Sequence, residues 1–271
     1  MDKIKFFELL PEFKKAWIHG NKVKFSIQRF NKTTNELEYH DQKRALTDQD
    51  WFTHFSGRPI DSKAFVSGSL AICGAFEDDI TKWICWDGDK PEEIEWIENK
   101  LIPWLEKNGI DYIYEFSANG RCHLWVMLDA LPQIIAWSLV NQIHEETGGR
   151  TGECYPFGSR RQAVIRPPGG FHWRAKKVND ILWNDHQSND PCFMLEAVIG
   201  ARKVTEDVAK SLIKTKIPEP VVKVKRDRQI FRYFPQDLEL PFDNLPNFLG
   251  SIASQCQSIN TQIKGIRDQS L

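Results

Sequence analysis

The sequence predicts an α+β fold in which a sheet packs against helices. Three observations carry this. Short segments of alternating apolar and polar residues read as strands, longer stretches with apolar residues at helical spacing read as helices, and the two kinds are interleaved along the chain.

Residues 1–20 read as a helix, with Phe6, Leu9, Phe13 and Trp17 on one face. KVKFSIQRF, residues 22–30, alternates as a strand. Thr47 or Asp48 caps a helix, DQDWFTHFSG, that stops at Gly57. Residues 64–74 read as a strand, FEDDI as a turn and TKWICWD as a second strand, together predicting an antiparallel hairpin. Pro91 opens a helix with acids in its first turn and Gly109 at its end, and Pro103 predicts a kink inside it. DYIYEFS and CHLWVML read as strands around the turn ANGR, and LPQIIAWSLVNQIHEETGG as a helix closed by glycine. Residues 153–173 predict a strand, a loop, a strand and a Pro-Gly turn. The strand-helix-strand-strand order of residues 82–127 resembles half of a split βαβ or RRM-like fold. From about residue 204 the text changes to a short basic helix, a proline-bearing linker and a last helical piece near 245–266. Two parts are therefore expected, a catalytic domain over 1–200 and a basic, helical extension over 201–271.

Composition bounds the function. The 271 residues, 41% hydrophobic and 27% charged, suit an ordinary globular protein, and the ten tryptophans favour a large core. A formal charge of −1 is unlike a generic nucleic-acid binder, yet residues 201–230 hold nine Lys or Arg against four Asp or Glu. The six cysteines form no C-x-x-C pair, so no zinc site is expected. The N-terminus lacks a signal-peptide run, and no stretch reaches the roughly 18 apolar residues of a membrane span. The cytoplasm, reduced thiols and no membrane partner are the expectation.

Four segments could carry chemistry. WDGD places Asp87 and Asp89 at i and i+2 of a strand end, aimed to one side, where a hard divalent cation would relieve their repulsion; D-G is equally a hairpin signal. SANGRCH, from Ser117 through Arg121 to His123, is a polar turn with amides suited to phosphate, or a plain hairpin with a surface histidine. TGECYPF brings Glu153 onto a strand, either as a third carboxylate or as a surface residue. In RRQAVIRPPGGFHWR, Arg166 follows a strand and precedes a rigid turn, with His172 and Arg174 beyond; these are phosphate donors or a basic hairpin paired with nearby acids. Three acids with phosphate grips fit two-metal phosphoryl transfer.

Taken in order, these segments resemble the motifs of the archaeo-eukaryotic primase superfamily over residues 46–173, and look closest to the small prokaryotic primases of mobile and conflict systems. WICWDGD is similar to the family's first motif, SANGRCHLWVML to the second, GECYPF to the third and AVIRPPGGFHW to the strand and turn that follow. The resemblance implies an RRM-like mixed sheet core fused to an N-terminal αβ unit. It implies that Asp87, Asp89 and Glu153 hold two magnesium or manganese ions. Ser117, His123, Arg166 and His172 would bind the nucleotide's phosphates, and Arg121 a phosphate or the template. The activity implied is a DNA primase or polymerase acting on NTPs or dNTPs over a single-stranded or primed DNA template, with a C-terminal priming domain or a helicase as a further partner. Two rival readings stand beside it: a D-x-D glycosyltransferase, and a non-catalytic RRM-like module that stacks bases on Trp86 and Trp125.

Overall fold

A computed structural model of the chain describes residues 1–31, 36–57, 69–117, 120–157, 164–172 and 175–217. The expected linker and tail over 218–271, with Cys256, lie outside the described residues, as do Ala118, Asn119 and Arg174.

The elements are α1 (Lys3–Trp17), β1 (Phe25–Asn31), β2 (Glu36–Asp41), α2 (Asp48–Ser56), β3 (Ser69–Cys73), β4 (Ile80–Gly88), α3 (Pro91–Trp96), α4 (Ile102–Lys107), β5 (Ile113–Phe116), β6 (Cys122–Pro132), α5 (Gln133–Thr147), β7 (Glu153–Tyr155), β8 (Val164–Ile165), β9 (Phe171–His172), β10 (Lys177–Val178), β11 (Asp180–Trp183), β12 (His186–Ser188), α6 (Pro191–Gly200) and α7 (Glu206–Leu212).

Helix ends follow local chemistry. Thr47 caps α2 in a box with Asp50, whose carboxylate also takes two bonds from Arg44, and Gly57 ends the helix at φ 65°. A π turn, Ile97–Leu101, joins α3 to α4 immediately before Pro103. That is the form the predicted kink takes, because proline has no N–H for the ladder and crowds the preceding turn.

A six-stranded sheet has the order β12-β11-β5-β6-β4-β7, and a four-stranded sheet the order β2-β1-β3-β8; every ladder is antiparallel. Within the larger sheet, β4 to β7 with their intervening helices form a βαββαβ unit in the order β5-β6-β4-β7, which is the RRM-like arrangement. The α+β class and the N-terminal αβ unit of α1, α2 and the smaller sheet agree with the sequence reading.

The hairpin expected between residues 64–74 and TKWICWD does not form. β3 pairs with β1 and β8, while β4 pairs with β6 and β7 in the other sheet. The turn between them contains Asp78 and Asp79 at positive φ and redirects the chain across the core, where Phe76 and Trp83 meet edge to face.

One core cluster lies between the sheets and joins Ile27, Leu70, Ile72 and Ile165 of the smaller sheet to Trp83, Cys85, Trp125 and Tyr155 of the larger. Trp17 reaches it from α1, stacking on Trp83 at 5.0 Å and tilting against Trp125 at 5.2 Å. The second cluster covers the other face of the large sheet, where Ile84, Trp86, Leu124 and Val126 pack under Ile97, Leu101, Leu139 and Ile143. Trp86 and Trp125 are both fully buried, so they serve as core and are not the base-stacking platform that the binding-module reading requires. The segment 201–217 also packs onto this body: Val204 makes a parallel bridge to Leu128, and Ala209 of α7 is buried in the second cluster. The five described cysteines are free, and no described helix is long and apolar enough to cross a membrane.

Candidate active site

Strand register builds a row of polar side chains across the large sheet. Asp87 is the cross-strand partner of Glu153 on one side and of His123 on the other, and His123 in turn is opposite Glu115. Directly opposed residues share a face. Two residues earlier along β4 the same face carries Cys85, opposite Trp125 and Tyr155 in the core between the sheets. The row Glu153–Asp87–His123–Glu115 therefore lies at the rim of that core, on the face turned to the smaller sheet. Glu153 is thus beside Asp87 and half-buried.

His123 is buried between two acids. Its Nδ1 donates to Glu115 at 2.7 Å, and its Nε2 stands 3.4 Å from Asp87 Oδ1. The second contact is an ion pair but too long for a good hydrogen bond, and Asp87 Oδ1 is left buried with no hydrogen-bond partner among the described residues. Burial opposes the imidazolium, but Glu115 and Asp87 overcome it and raise the pKa to about 10. Glu115, 1% exposed, would be pushed up by burial; His123, Arg166 and Asn179 instead hold it down at about 2.

Asp89 lies just past the strand end, half-exposed, and pairs with Arg121 at 2.8 Å. Burial and the charge of Asp87 raise its pKa. Ser117 closes the turn before His123: its N–H donates to Arg121 O and its carbonyl accepts from Gly120 N. Tyr155 donates its hydroxyl to Glu153 Oε2, and burial, then that carboxylate, raise the tyrosine's pKa.

Arg166 comes from the other sheet. It follows β8, and its charge acts on Tyr39, His54 and Glu115. Its Nη1 is buried with no hydrogen-bond partner among the described residues. Behind it, His54 Nδ1 accepts Leu70 N–H and its Nε2 meets Pro167 O at 3.1 Å, which fixes the tautomer. Burial, helped by Arg166, lowers the His54 pKa to about 3. His172 lies beyond the Pro-Pro-Gly-Gly turn on β9, buried, with Nδ1 accepting Ala175 N–H.

Among the described residues, no three His, Cys, Asp or Glu side chains stand together as a metal-ligand set. The carboxylates are turned to protein partners instead: Asp87 to His123, Asp89 to Arg121, Glu153 to Tyr155. The donor chemistry nevertheless fits a hard divalent cation, because Glu153 on the adjacent strand is the direct cross-strand partner of Asp87, whose buried Oδ1 has no hydrogen-bond partner among the described residues.

Sequence reasoning missed three positioning groups. Glu93 accepts the N–H groups of Asp89, Lys90 and Gly152 and so ties the end of β4 to the start of β7. Glu115 and Tyr155 fix His123 and Glu153. The signal for Glu115 was a lone acid inside the apolar strand YIYEF; Glu93 read only as a first-turn helix acid.

No family model matches the sequence, and no curated protein matches it. Among solved structures, the chain is similar to the AEP domain of the cyanophage S-2L primase-polymerase, with 12% identity and a TM-score of 0.40 over 73% of this chain and 98% of that one.

Proposed function

We propose that this domain is a metal-dependent nucleotidyltransferase, a DNA primase or primer-extending polymerase that joins nucleotides to a 3′-hydroxyl with loss of pyrophosphate. One observation carries this reading: two buried atoms of opposite demand, Asp87 Oδ1 and Arg166 Nη1, both without a hydrogen bond among the described residues, on two sheets that share a core. Both side chains act on the same phenol, that of Tyr39. The Asp87 oxygen meets His123 only at ion-pair distance and can still take a metal cation, and a buried guanidinium N–H without an acceptor calls for an anion. A metal-bound polyphosphate satisfies both together.

In this reading Asp87, Asp89 and Glu153 hold two magnesium or manganese ions. Metal bound there would lower the pKa of the attacking hydroxyl and stabilise the charge of the leaving pyrophosphate. His123, kept charged by its carboxylate neighbours, donates from Nε2 toward the phosphates. Arg166 donates from the opposite sheet, with His172 beyond the turn. Arg121 exchanges Asp89 for a phosphate or the template backbone, and the Ser117 hydroxyl adds a donor. Tyr155 orients the Glu153 carboxylate. NTPs or dNTPs are the substrates, and single-stranded or primed DNA the template.

The test is incubation with labelled nucleotides, single-stranded template and manganese, with and without a primer. Product without a primer shows priming; product only with one shows extension. Asp87→Ala and Glu153→Ala should each remove at least 99% of product, a loss of about 3 kcal/mol in transition-state stabilisation. No product under any condition, or full activity in both variants, defeats the reading.

A further inference from the structure

Glu115 accepts four hydrogen bonds. Oε2 takes His123 Nδ1 at 2.7 Å and Trp125 Nε1 at 3.2 Å, while Oε1 takes Asn179 Nδ2 at 2.6 Å and Gly169 N at 3.1 Å. An ionised carboxylate has about four acceptor positions, so none remains for a metal ion. Glu115 is therefore not a further ligand of the acidic row, although it stands in that row.

Its partners belong to two parts of the site. His123 and Trp125 are on β6. Gly169 lies in the turn that begins directly after Arg166, and Asn179 brackets that turn again by donating its own N–H to Gly170 O at 3.4 Å. The turn is held from the other side by His54, whose ring fills the space where a Cβ at Gly170 would fall, 2.1 Å from the nearest ring atom. Glu115 on the large sheet and His54 on α2 thus grip one turn from two sides.

The structure assigns Glu115 as a positioning residue for nucleotide binding, its carboxylate fixing the separation between His123 on the large sheet and Arg166 beside the small one. This rests on the nucleotidyltransferase reading above. Because all four partners are donors, glutamine at this position must turn its NH2 toward two of them and release either the β6 side or the turn side. A shift of about 1 Å in a phosphate-gripping group is enough to weaken binding and turnover strongly.

The experiment is titration of the full chain with manganese alone and with a manganese–nucleoside triphosphate, in wild type, Glu115→Gln, Glu115→Asp, His123→Gln and the Glu115→Gln/His123→Gln pair. Glu115→Gln should weaken triphosphate binding about tenfold or more, leave manganese binding unchanged, and cost less in the His123→Gln background than in wild type. Glu115→Asp keeps the charge but is one methylene shorter; it should retain the wild-type circular dichroism spectrum and lose triphosphate affinity to a smaller degree, which keeps the test open if the glutamine variant does not fold. Wild-type triphosphate affinity in every folded Glu115 variant, or weakened binding of manganese alone, overturns the assignment. If the wild type itself takes up no triphosphate, the nucleotidyltransferase reading falls along with it.

Discussion

Replacing Glu93 with alanine removes the acceptor of three backbone N–H groups: Gly152 at 2.8 Å, Asp89 at 3.0 Å and Lys90 at 3.2 Å. A hydrogen bond to a charged group contributes about 1.5–3 kcal/mol. The three are not independent, and water can reach the Asp89–Lys90 turn once the carboxylate is gone, so a total of about 2–4 kcal/mol is expected rather than the simple sum. The 3.7 Å contact of Glu93 with the exposed Lys90 ammonium adds little. Against a domain stability of about 5–15 kcal/mol, the loss is large but compatible with folding. Urea unfolding should show a lower midpoint with an unchanged slope, since the same surface is exposed. Glu93→Gln, which keeps one acceptor oxygen, should fall between wild type and alanine. Manganese affinity should drop with stability in both variants, because Glu93 joins the backbone of Asp89 to the residue preceding Glu153. A midpoint shift worth less than about 0.5 kcal/mol in the alanine variant would refute the reasoning.

Trp17→Ala should cost about 3–5 kcal/mol by emptying the space between α1 and the sheet, read as a lower melting temperature. Gly170→Ala drives a methyl into the His54 ring and should destabilise the turn behind Arg166, seen as weaker triphosphate binding with manganese binding retained. The pKa of Asp50 is depressed, with Arg44 and Thr47 overcoming burial, so its contribution is complete above the unfolded-state pKa of about 3.9 and is lost as pH falls through the lower folded value. The stability gap between wild type and Asp50→Asn should therefore close on acidification below about pH 4 and stay constant toward neutrality.

The helices were legible because their punctuation is local. Thr47, Gly57, Pro91 and Gly148 stand where caps and starts require them, and Pro103 marked the π turn. The first half of the βαββαβ unit, β4 to β6, followed from period and order. Sheet membership was not legible: β3 and β4 are sequence neighbours with suitable hairpin patterns, and only the inter-sheet core around Phe76 and Trp83 separates them. The short strands β8 to β12 hold two to four residues each, too few for a period to register. Within the site, Asp87, Glu153, His123 and Arg166 were visible as motif residues. Glu93, Glu115 and His54 act through partners about 60, 50 and 110 residues distant, and such pairings leave no mark on a local pattern.

The smaller sheet is completed by β8, which the chain reaches only after β4 to β7 have been laid down, and α1 packs on α6. A ribosome therefore cannot release a finished amino-terminal layer ahead of the other one. Both layers must mature together, with the first helix waiting for a mate that emerges only at residues 191–200. Such interleaving predicts that heat or denaturant dismantles both sheets in one concerted step, with no surviving half.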